Sequence, residues 1–114
     1  MKYRAVISDA DAARPNTVRD AVKFAYLNEL EQSVAEVMQV DVPANPFPKD
    51  GDLLMPAPHD GIYKLYLMAM TDFEMQDLDL YAADYAMFGS KYKDAIAAWR
   101  RKHPTRVNER GARV

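Results

Sequence analysis

Seven prolines divide this chain, and their positions limit its folds more than any other feature. Proline fixes φ, lacks an N–H and clashes with the preceding turn, so helix interiors exclude it. Pro15 stands alone, Pro43, Pro46, Pro48, Pro56 and Pro58 crowd one segment, and Pro104 falls near the end. They leave two long proline-free stretches, 16–42 and 59–103, and both read as helical.

In the first stretch, Thr17-Val18-Arg19-Asp20 carries a capping pattern, and nothing breaks a helix until about Gln39. Val22, Tyr26, Leu30, Val34 and Met38 recur every four residues, with Leu27 and Val37 beside them, while Glu29, Glu31 and Glu36 lie off that stripe. In the second stretch, His59 or Asp60 caps a helix over 60–75, with Ile62, Leu65, Tyr66, Ala69 and Phe73 on one face. Met68 and Met70 lie elsewhere on it, so this helix is apolar on more than one side and reads either as the central helix or as also an oligomer surface. Asp77 or Asp79 opens a third helix over 77–102. Its Leu78, Tyr81, Tyr85, Phe88, Tyr92, Ala95 and Trp99 alternate three and four apart, a heptad stripe expected to be core.

The N-terminus is weaker. Residues 2–7 alternate like a short extended arm, and Ser8-Asp9-Ala10-Asp11 starts at most one helical turn before Pro15. Residues 41–58 read as a long proline-rich loop pinned to the core by Leu53, Leu54 and Met55. The expected fold is all-α: a small bundle of three principal helices plus a short N-terminal helical turn, in one domain over 1–102, followed by a basic flexible tail over 103–114.

Chemistry is scarce. There is no cysteine, hence no disulfide and no thiolate metal site. The two histidines, His59 and His103, sit at helix ends with no carboxylate at a ligand spacing. Asp72, Glu74, Asp77, Asp79 and Asp84 lack the pattern of a calcium loop and read as helix-end carboxylates at a solvated junction. Neither a phosphate-cradling glycine loop nor a nucleophile elbow occurs. The expectation is a non-enzyme without cofactor or metal; an enzyme built on the Asp72–Asp84 cluster ranks last. No apolar run approaches the ~18–20 residues of a membrane span, and the N-terminus lacks a signal-peptide core, which makes the cytoplasm the default location.

Charge is lopsided. Residues 1–90 hold seven Lys/Arg against fifteen Asp/Glu, and residues 91–114 hold eight against two, which fits an interaction tail and equally a basic helix end favoured by the helix dipole and followed by a frayed terminus. Arg100, Arg101, Lys102, Arg106 and Arg110 are its candidate partner contacts. Seven methionines and seven tyrosines suit interfaces, and Phe24, Met68, Met70 and Met87 are the candidate contacts between copies.

The stretch Leu53 to Asp72 (LLMPAPHDGIYKLYLMAMTD) resembles head–tail connector, or adaptor, proteins of tailed bacteriophages. The resemblance continues through Asp79-Leu80-Tyr81, Met87-Phe88, Tyr92, Trp99-Arg100-Arg101 and His103-Pro104, and upstream in Asp11 to Asn16 and Tyr26 to Glu31. It implies a helical bundle that assembles as a ring of about a dozen copies beneath the portal protein, in the virion after assembly in the host cytoplasm. It also implies a platform for the tail or stopper protein, passage of DNA through the channel without sequence reading, and no catalysis. Docking on the portal through the basic C-terminal segment follows by the same analogy. The alternative is a small helical DNA-binding or regulatory protein using that basic end, although a pI near 5.6 lies below the range usual for such modules.

Overall fold

The structure, a computed structural model, describes residues 2–41 and 51–103. Four helices follow one another: α1 (Tyr3–Ala13), α2 (Asp20–Met38), α3 (Gly61–Glu74) and α4 (Leu78–Lys102). The fold is all-α, and the described residues contain no strand beyond an isolated bridge between Lys2 and Asp52.

The N-terminal segment is the main departure from expectation. It is neither an arm nor a short turn but an eleven-residue helix. Tyr3, Val6, Ile7 and Ala10 fall at helical spacing, and all four are buried in the core. Burial of that stripe outweighs the polar Ser8 and Asp9, which point outward in mid-helix, so Ser8 starts nothing. Arg14 ends α1 with φ −140° and ψ 84°, outside the helical region that a residue preceding proline avoids.

Asn16 organises the corner that follows. Its Nδ2 donates to Asp11 Oδ1 at 3.1 Å and to the Arg14 carbonyl at 2.9 Å, while its Oδ1 accepts from Val18 N–H at 3.0 Å. Helix α2 then begins after Arg19, not at a Thr17 cap; the Thr17 hydroxyl lies 3.6 Å from Met75 Sδ. The buried face of α2 is Lys23, Leu27, Leu30, Glu31, Val34 and Ala35. A row stepping by four drifts about 40° per step around a helix of 3.6 residues per turn. Its outer members Val22, Tyr26 and Met38 are therefore only half-buried, and Glu31 takes a core position that the stripe denied it. Gln39 closes α2 in the left-handed region, φ 59°, with the Val40 N–H donating back to the Ala35 carbonyl at 3.1 Å.

Helix α3 packs against all three other helices. It buries Ile62, Tyr63, Leu67, Ala69, Thr71 and Asp72 from several sides, whereas Phe73 is 49% exposed. Leu53 and Met55 are buried beside it and Leu54 is partly covered; residues 42–50 of the loop lie outside the described residues. A tight turn joins α3 to α4, with Gln76 at φ 62° and the Asp77 N–H donating to the Asp72 carbonyl at 2.9 Å. Asp77 caps α4 by accepting from the Leu80 N–H at 3.3 Å, a contact worth about 1 kcal/mol.

The heptad stripe of α4 is not the core it resembles. Among the described residues α4 packs extensively only on α3, and they leave one flank of the stripe uncovered. Phe88 and Ala95 are buried, Tyr81, Tyr92 and Trp99 are half-buried, and Leu78 and Tyr85 stand 61% and 42% exposed.

Candidate functional site

The acidic cluster divides in two. Glu74, Asp77 and Asp79 are exposed at the α3–α4 turn, but Asp72 and Asp84 are buried and face each other across Arg14. Arg14 Nη1 donates to both carboxylate oxygens of Asp72, at 2.8 and 2.9 Å, and lies 2.9 Å from Asp84 Oδ2. Two carboxylates thus share one guanidinium. Burial, and then a hydrogen bond shared with Asp84, push the Asp72 carboxyl up to about 6, against the pull of Arg14. The group fastens the corner after α1 to both arms of the α3–α4 hairpin. Two further charged side chains sit inside: Lys23 donates to Asp11 on α1, 2.9 Å away, and Glu31 accepts from the Tyr63 hydroxyl and the Leu54 N–H, both at 2.7 Å. Each buried charge has a partner within the fold, which is what a low-dielectric interior demands.

The proposed contact residues lie apart from this interior. Arg100, Arg101 and Lys102 form the exposed last turn of α4, where cations oppose the negative end of the helix dipole. Arg106 and Arg110 fall outside the described residues. The Trp99 and His103 rings stack at 3.5 Å beside that turn. Two shallow grooves of about 390 and 320 Å³ flank Pro58 and His59, one reaching Lys91 and Asp94, the other Trp99, Lys102 and His103. None of the buried carboxylates opens into either groove. Of the candidate contacts between copies, Met87 is 52% exposed, Met70 is half-buried, and Phe24 and Met68 are half-buried against the core.

The opposite end of α4 is apolar. Phe73, Met75, Leu78 and Leu80 stand exposed around the α3–α4 turn, rimmed by Glu74, Asp77 and Asp79. From Phe73 a line of aromatic rings runs along α4 through Tyr81, Tyr85, Phe88 and Tyr92, with neighbouring centroids 5.3–5.7 Å apart. The spacing marks these aromatics and predicts a core position; it does not show that, among the described residues, α4 packs extensively on α3 alone.

Among the described residues no group of His, Asp and Glu is placed to hold a metal ion, and no helix is long and apolar enough to cross a membrane. No protein-family model matches the chain, and no curated protein or solved structure matches it.

Proposed function

We propose that the chain is a structural virion-assembly protein, a head–tail connector that forms a ring beneath the portal and carries the tail or stopper. The reading assigns it no catalytic step, metal or cofactor. The observation that carries it is the chemistry of the α3–α4 arm. Helix α4 spans about 37 Å at 1.5 Å per residue in a molecule 50 Å long. Its start carries an exposed apolar cluster with an acidic rim, and its finish a turn of three exposed cations. A ring subunit that carries another body needs two dissimilar contact ends held at a fixed separation, one for a neighbouring copy and one for that body, and a helix is a stiff spacer. The resemblance of Leu53 to Asp72 and of Trp99 to Pro104 to connector proteins points the same way.

A second reading, a small DNA-binding or regulatory protein, is favoured by the exposed Arg100, Arg101 and Lys102 alone. Mass in solution by light scattering across concentration, with negative-stain imaging of the heaviest species, separates the two. The connector reading expects closed rings of about a dozen copies. A monomer at every concentration whose affinity for duplex DNA falls steeply with salt overturns it in favour of the second.

A further inference from the structure

Helices α2 and α4 both pack on α3 without packing extensively on each other, and the valley this leaves between them has Tyr66 of α3 at its floor. Tyr66 touches both walls: its ring lies 4.9 Å from Phe88 of α4, and its hydroxyl donates to Glu29 of α2 at 3.3 Å. Tyr81, Tyr85 and Tyr92 line the α4 wall; on the α2 side Tyr26 donates its hydroxyl to Glu74. Glu29, Glu36 and Glu74 are exposed along the rim, and Tyr85 is 42% exposed. The charges reach the phenols: burial first, then Glu36, hold Tyr92 above the ordinary tyrosine range, while Arg100 acts in the opposite sense from the far end. Burial and the bond to Glu74 push Tyr26 up to about 12.

Such a surface has a definite taste. Aromatic faces attract cations, guanidinium stacks on tyrosine better than ammonium does, and carboxylates along the rim complete the pairing. The chain carries a matching end of its own. Arg100, Arg101 and Lys102 are exposed, and no described residue forms an ion pair with them. They cannot fill the valley of their own chain. Arg100 and Arg101 lie eight and nine residues past Tyr92 on the same helix, about 12–14 Å further along its axis, so these cations reach only the mouth, where Arg100 acts on Tyr92.

We propose that the valley between α2 and α4 receives the basic C-terminal turn of α4 from a second copy, with Arg100 and Arg101 entering between the tyrosine faces and pairing with Glu29 and Glu36. The contact joins two different patches, so it is head-to-tail and repeats from copy to copy, closing into a ring or running on as a filament. It supplies the contact between subunits that a connector needs, and it rests on the connector reading only for closure of the ring.

Charge reversal tests it in the full-length chain. Arg100→Glu/Arg101→Glu and Glu29→Arg/Glu36→Arg change exposed positions, and equal helicity by circular dichroism checks that both fold. Each variant alone is expected to self-associate about tenfold or more weakly than the parent, equivalent to about 1.4 kcal/mol. Mixing the two variants restores association, because an acidic end then meets a basic valley. Parent association falls between about 50 mM and 500 mM salt. A parent that stays monomeric, variants that associate like the parent, or a mixture that stays apart each overturn the docking. Charge-dependent filaments that never close keep the docking and sink the connector reading; closed rings indifferent to the reversals do the opposite.

Discussion

Replacing Arg14 with alanine is expected to remove about 3 kcal/mol of unfolding free energy, measured by urea denaturation at neutral pH. Arg14 is the only cation between Asp72 and Asp84 in the described structure, and both carboxylates are buried. Without it, two negative charges face each other with no counter-charge, and the corner after α1 is released from the hairpin. The loss falls at the lower end of the range for broken buried pairs because the guanidinium is itself a quarter exposed and water reaches it. Adding Asp72→Asn and Asp84→Asn to the alanine variant is expected to recover most of the loss. An alanine variant as stable as the parent would sink the assignment of this group as the clasp of the fold.

The same group sets a pH dependence with an unusual sign for a carboxylate. Asp72 titrates near 6 in the fold, raised mainly by burial, against an ordinary value of 3.8. Between those values the folded chain holds a proton that the unfolded chain has released, and stability from this group falls as pH rises. Its contribution is complete below about 4 and is lost by the time pH passes 6. The Asp72→Asn variant, a permanent mimic of the protonated form, isolates the effect: it is expected to match the parent near pH 4 and to exceed it above pH 6.

What the sequence disclosed and what it withheld follow from the range of the interactions. The expected ranges 17–39, 60–75 and 77–102 lie within three residues of α2, α3 and α4 at each end, because proline, aspartate caps and apolar spacing act over a few residues. Helix α1 was legible in principle: Tyr3, Val6, Ile7 and Ala10 hold helical spacing, but so short a run beside Ser8-Asp9 also fits an arm and a cap. The buried charges were not legible. Arg14 and Asp72 are 58 positions apart, and only the assembled core brings them together. A charged residue is by default outside. Lys23, Glu31, Asp72 and Asp84 break that rule, each with a partner that local pattern cannot name. The stripe on α4 failed in the other direction, since periodicity shows which residues share a face and not whether anything covers it. Among the described residues Leu78 and Tyr85 belong to the stripe by spacing and are nonetheless exposed.

Glu31→Ala is expected to cost about 3 kcal/mol and to loosen the segment before α3 more than it loosens the core. Glu31 is 1% exposed and accepts two hydrogen bonds, from the Leu54 N–H and from the Tyr63 hydroxyl. The Tyr63 hydroxyl in turn accepts from the Met55 N–H at 2.8 Å, so one carboxylate anchors two successive backbone amides of the loop. Burial holds the Glu31 carboxyl above its ordinary range even though both donors favour its charged form. Alanine leaves the Leu54 amide and the Tyr63 hydroxyl without their acceptor, at about 1–3 kcal/mol each when water cannot replace it, and opens a cavity between α2 and α3. Glu31→Gln keeps the volume, but its one carbonyl oxygen serves a single donor and its amide N–H₂ faces the other, so a loss of about 1–2 kcal/mol is expected. Amide hydrogen exchange locates the effect. Leu54 and Met55 exchange by local opening in the alanine variant while Leu67, at the centre of α3, follows global stability. If Leu54, Met55 and Leu67 lose protection equally, the carboxylate supports the core as a whole, and the loop before α3 is held instead by Leu53 and Met55 packing against that core.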